Sequence, residues 1–267
     1  VSAPHEETLA AYRRAGAKEA TAHVVGERDW GLVDRALSDL PPVYQRVLEG
    51  RLDRLSFIDA PSSAGSALTR RFEGPDGEPR FDMTLRADVL DLSLSAFLNR
   101  KDQALFAEDG TGYRLQIVSS ELPALTYVLL HEAVHVLDQS YRISATMRPF
   151  ASIWADYRSL AEPYASGPLA RSAYRRGPLL PAARMPEVYQ TLSKSPFVSL
   201  YSTASAGEDL AELLAWAHLA RRHRAHLEIT VLDASGRRVA RVMPLQSAAV
   251  RARLKRAESI VAAIHAR

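Results

Sequence analysis

The sequence predicts an α+β fold, mostly helical with a small sheet, on three observations. Apolar residues recur at helical spacing in several segments, the clearest being TYVLLHEAVHVLDQSY, ending at Tyr141, and GEDLAELLAWAHLARRHRAH, ending at His226. Alternation of the β kind appears in YRLQIVS (Tyr113 to Ser119) and again in LEITVLD-ASG-RRVARV (Leu227 to Val242). The 267 residues, 47% hydrophobic and 24% charged, suffice to bury a substantial core, which excludes a disordered chain.

Taken in order, an Ala-rich pattern from His5 to Val25, with Leu9, Tyr12, Ala15 and Ala20 near helical spacing, predicts a first helix. A second runs from Asp29 to Leu40, where Pro41-Pro42 stops it, and a third covers Val43 to Leu55. PSSAGS and GPDGEP mark Asp59 to Pro79 as loop, and Arg80 to Leu94 reads as strand followed by turn. The turn EDGTG precedes the Tyr113 strand, and Pro123 opens the next helix. Ile143 to Leu200 is irregular, holding seven of the fifteen prolines from Pro149 to Pro196, with short helices around Ile153–Ala161 and Glu187–Leu192. A helix from Ser205 to His226, a hairpin turning at Gly236 and a last helix from Gln246 to Ala266 complete the chain. There is no internal repeat. The expected organisation is an N-terminal helical region, 1–100, packed on a domain spanning 101–267.

Composition narrows the chemistry. Cysteine is absent, which removes disulfides, thiol nucleophiles and thiolate zinc sites, so a metal must be held by His, Asp and Glu. The 34 basic and 31 acidic residues leave a formal +3, too weak a field to indicate nucleic acid as a partner. No run of 18 apolar residues occurs, so no transmembrane segment is expected. Val1 in place of Met, with no cysteine, gives the expectation of a secreted or periplasmic protein.

The informative segment is His131-Glu132-Ala133-Val134-His135. Residues four apart share a helix face, so the two imidazoles can grip one cation while Glu132 reaches a water bound to it. With 8 histidines in the chain the pattern arises by chance about 0.014 times. Leu125, Val128, Leu129, Leu130, Val134, Val136 and Leu137 make this helix apolar nearly all round. It should be buried, where unpaired His and Glu would be costly. Two histidines leave a catalytic zinc one protein ligand short. HExxHxxGxxH does not apply, since Asp138 stands at the Gly position and Tyr141 at the third His. Glu208 and Glu212 share a face of a later helix, so one can bind metal while the other holds a ligating imidazole. An ordinary acidic helix start explains the same residues, and Asp209 is another candidate third ligand.

HEAVHVLD followed by EDLAE, with Tyr201 seven residues before Glu208, resembles the gluzincin metallopeptidases, in particular the group of the anthrax lethal factor catalytic domain and related bacterial peptidases. The resemblance covers about 20 residues around His131 and about 20 around Glu208. It implies a zincin-like fold and one Zn2+ held by His131, His135 and Glu208, with Glu132 as general base. It also implies Tyr201 as the phenol stabilising an oxyanion, and Asp138 and Glu212 as carboxylates orienting the imidazoles. The implied activity is endopeptidase cleavage of a protein or peptide substrate. An amidase or peptidoglycan-linked hydrolase, or a non-catalytic zinc-containing interaction module, would use the same residues. Zincin-like folds place an edge strand above the metal, to which extended substrates add; Tyr113, Leu115 and Ile117 are the candidates. His218, His223 and His226 read as a solvated basic face, and Trp154 and Trp216 as core. The basic run Arg171, Arg175, Arg176 and Arg184 would favour acidic substrates if it lined the cleft.

Overall fold

Residues 2–146, 150, 152–175 and 177–265 are described by a computed structural model. Its helices are α1 (Glu6–Arg14), α2 (Glu27–Ser38), α3 (Pro42–Arg51), α4 (Leu94–Gln103), α5 (Ala124–Tyr141), α6 (Met185–Ser193), α7 (Ala206–His223) and α8 (Ala248–His265). The strands are β1 (Thr21–His23), β2 (Leu52–Asp59), β3 (Ala67–Glu73), β4 (Pro79–Arg86), β5 (Phe106–Ala107), β6 (Arg114–Ser119), β7 (Leu180–Pro181), β8 (Leu227–Leu232) and β9 (Arg238–Val242). The fold is therefore mixed α+β with small sheets and more helix than strand.

The chain divides into two units, Val1–Leu94 with Leu122–Tyr141, and Ser95–Glu121 with Arg142–Arg267. This differs from a single break near residue 100. Long-range hydrogen bonds join Leu94 N–H to the Leu122 carbonyl (2.7 Å) and Ala124 N–H to that of Leu92 (2.9 Å), so the helix bearing the HExxH segment belongs with the N-terminal residues.

In the first unit the strand order is β1-β2-β4-β3, with β2 and β4 parallel and both outer strands antiparallel to their neighbours. Alternation gives this sheet two distinct faces. Leu55 is paired with Met83 and Phe57 with Leu85, and with Phe81 they form a buried apolar face. Thr69 is paired with Met83 and bonded to α5, which identifies this as the face toward that helix. On the other face Ser56 and Thr84 share a hydrogen bond of 2.8 Å, and Ile58 packs with Leu9, Tyr12, Ala17 and Ala20. Helix α1 thus covers the side opposite α5.

Three local expectations change here. The first helix stops at Arg14: Gly16 has φ +104, and Thr21–His23 pair with Phe57–Asp59 as β1. The third helix ends at Arg51, and the apolar run beyond it is β2. Inside the expected loop 59–79, ALTRRFE forms β3, the outermost strand beside β4. In all three places sheet pairing, a tertiary effect, outweighs local signals.

In the second unit β6, β8 and β9 form an antiparallel sheet, and the expected hairpin is β8–β9. Helix α6 falls where the Glu187 segment predicted it, whereas Ile153–Ala161 is not helical. Asp156 accepts from the backbone N–H of Arg158 and Ser159 (both 2.7 Å), a turn that competes with helix. Pro149, Arg176 and Ala266 lie outside the described residues. Among the described residues no helix is long and apolar enough to cross a membrane.

The outer edge of β6 is occupied by side chains of α4, a helix the sequence reading did not anticipate. Ser95, Asn99 and Gln103, one turn apart, face that edge. Leu115 N–H donates to Gln103 Oε1 (2.9 Å), Ile117 N–H to Asn99 Oδ1 (2.8 Å) and Ser119 N–H to Ser95 Oγ (2.9 Å). Asn99 Nδ2 returns a bond to the Ile117 carbonyl at 2.6 Å. Replacing Asn99 with Leu would strip both backbone groups of Ile117 of these partners. We expect a stability loss of about 1–3 kcal/mol, read from the urea midpoint at unchanged slope.

Candidate metal centre

Helix α5 forms where apolar residues make burial on nearly all sides favourable. From Ala124 to Asp138 only Thr126 and His135 are not fully buried. His131 and Glu132 retain 4% and 8% of their exposure. The i, i+4 spacing sets the two imidazoles one turn apart, with ring centroids 4.9 Å from each other and planes at 77°. One donor atom from each of His131, Glu132 and His135 lies within 4.8 Å of the others, a span one cation can bridge. The group could therefore hold a metal ion, and two imidazoles with a carboxylate are donors zinc accepts. Asp138, one turn beyond His135, is buried at the same helix.

Glu132 is held from the sheet. Thr69 Oγ1 on β3 donates to Glu132 Oε2 at 2.7 Å. On α1, Tyr12 keeps 5% exposure, and its hydroxyl has no hydrogen-bond partner among the described residues. Burial pushes the Tyr12 phenol well above its ordinary range, and the charge of Glu132 adds to the rise. The sequence places Tyr12 in the first helix but assigns neither Tyr12 nor Thr69 to the site. Thr69 sits in a stretch that reads as loop, and ALTRRFE has no apolar–polar alternation to mark it as a strand.

Glu208, Glu212 and Tyr201 belong to the second unit. Ser205 caps α7 by accepting from Glu208 N–H (3.2 Å), the Ser-x-x-Glu arrangement of an acidic helix start, and Glu208 is half-buried. Glu212, buried on the next turn, accepts from Ser199 Oγ. Tyr201 lies in a short 3-10 turn, its ring centroid 4.8 Å from that of Tyr174. The Lys101 Nζ stands 3.5 Å over the Tyr201 ring. Tyr174 in turn donates to the buried Asp102 (2.7 Å), which also accepts from Tyr189 (2.9 Å). Burial pushes the Asp102 carboxyl upward, against these two hydrogen bonds.

Other candidates prove to have different work. Asp209 is fully buried and engaged by Trp154 Nε1 (2.8 Å) and both terminal nitrogens of Arg253, so its oxygens are occupied within the unit. Trp154 and Trp216 are core residues. Leu115 and Ile117 are buried, and the outer edge of their strand is bonded to α4, so a substrate strand could not pair there without displacing Ser95, Asn99 and Gln103. Tyr113 is half-exposed just before that strand. In the basic run, Arg175 donates to the carbonyls of Arg158, Thr203 and Ala204, and Arg184 pairs with Glu187. Arg171 is exposed. His218 and His223 have ring centroids 6.2 Å apart and are half-buried, and His226 is exposed.

No family model, curated protein or solved structure matches the chain.

Proposed function

We propose that this chain is a zinc-dependent endopeptidase of zincin-like fold. The observation that carries this reading is the His131–Glu132–His135 group, its first two residues buried and His135 half-buried, on an apolar helix with donors close enough for one cation. His131 and His135 would hold zinc, and Glu208 is assigned as third ligand from its sequence pattern. Zinc bound there would act as a Lewis acid and make a bound water more acidic. Glu132 accepts the proton of the attacking water through Oε1 and delivers it to the leaving amine. Tyr201 donates a hydrogen bond to the oxyanion that develops on the peptide carbonyl. Asp138 and Glu212 orient the imidazoles. The strand offered to an extended substrate is β3 rather than β6. Like β1 it is an edge of its sheet among the described residues, and its Thr69 touches the general base.

Metal analysis and cleavage of a broad peptide library test this together. Purified full-length protein should carry one zinc per chain and cut peptides in a manner abolished by chelator and restored by Zn2+. Less than roughly half an equivalent of zinc, with no recovery on addition of the ion, would remove the assignment. Zinc bound at full occupancy without hydrolysis would favour the interaction module.

A further inference from the structure

We propose that Thr69 is the positioning residue for Glu132, an inference that rests on the peptidase reading for its catalytic consequence. Glu132 is 8% exposed, so its carboxylate is largely removed from water and needs hydrogen-bond partners in the protein. Thr69 supplies one at 2.7 Å, and it goes to Oε2. A hydroxyl donated to one carboxylate oxygen fixes the plane of the group and leaves Oε1 as the oxygen that takes a proton. The donor sits on a strand, not a loop. Thr69 is in register with Met83 in the buried face of the sheet, and β3 is tied to β4 along its whole length from Ala67 to Glu73. A β-branched residue at that point has few rotamers, so its hydroxyl is aimed before substrate arrives. The same strand is the one assigned to substrate pairing, so a peptide ordering β3 would also steady the base.

Thr69→Val removes the hydroxyl at nearly constant volume, and Thr69→Ser keeps it. Thr69→Val is expected to lower kcat about 10- to 100-fold, with KM and zinc content unchanged and Thr69→Ser close to wild type. A kcat equal to wild type overturns the proposal. So does a loss shared by Thr69→Ser, which would mean packing and not the hydrogen bond. A second readout is independent of activity. In a double-mutant cycle of Thr69→Val with Glu132→Met on the full chain under chelator, the two sites should couple by about tenfold in the unfolding equilibrium constant. No coupling overturns the proposal even in an active enzyme. Coupling without any hydrolysis by wild type would instead remove the peptidase reading and leave Thr69 as the group that holds this carboxylate.

Discussion

Glu132→Gln is expected to keep its zinc and lose peptide hydrolysis by a factor of about 10²–10⁴. The amide is nearly isosteric and still accepts from Thr69 through one oxygen, so the 2.7 Å bond to β3 can persist. What disappears is the ability to take a proton from water. His135→Ala is the contrasting variant. Removing a ligand should weaken zinc binding by more than the roughly 10- to 100-fold typical of outer-shell changes, and activity should return only with excess metal. Glu208→Ala decides the third ligand. The three donors that stand together in the first unit are His131, Glu132 and His135. If Glu132 itself ligated the ion, Glu132→Gln would lose metal while Glu208→Ala kept it. The peptidase reading requires the reverse, and equilibrium dialysis on the two variants separates the cases.

The second large effect concerns stability. Arg253→Met is expected to destabilise the protein by about 3–5 kcal/mol at neutral pH, measured by urea unfolding. Asp209 is wholly buried and Arg253 nearly so, and the guanidinium bridges α7, α8 and the Pro196 carbonyl (2.8 Å). Without Arg253, Asp209 keeps only Trp154, among the described residues, as a side-chain partner for a buried charge. Burial already pushes the Asp209 carboxyl upward, and Arg253 is the chief group holding it down. In the variant the folded-state value rises further above the unfolded one, so the folded state binds more protons. Stability then falls as pH rises from the ordinary carboxylate range through the raised folded value. The deficit against wild type is therefore largest near neutrality and shrinks on acidification. A deficit independent of pH would show that the loss is one of packing. The double variant Asp209→Asn/Arg253→Met should recover part of it, because no charge is left to bury.

The elements legible in the sequence were those whose own pattern decides them. Helices α5 and α7 carry long apolar periodicities, and the β8–β9 hairpin has alternating arms around Gly236. Strands β1, β2 and β3 escaped because each is defined by a partner. Thr21–His23 has no strand pattern of its own, and ALTRRFE lies half-exposed at an edge between two loop-rich stretches. Helix α4 escaped for a related reason: its polar residues Ser95, Asn99 and Gln103 serve backbone groups of a strand that follows it. At the site, the helical spacing of His131 and His135 was enough to anticipate their approach. Thr69, more than fifty residues upstream, reaches Glu132 only because the sheet brings β3 to α5, which no local spacing encodes.

The interleaving of the two units bears on how the protein is made. As a nascent chain leaves the ribosome, β1 to β4 emerge with the face of Phe57, Phe81, Met83 and Leu85 still lacking α5. The residues synthesised next, Ser95 to Glu121, belong to the other unit and cannot supply that cover. The first unit must therefore wait, its sheet partly bare, until Tyr141 has cleared the exit tunnel. During that interval the unfinished sheet is the part of the molecule most in need of a chaperone.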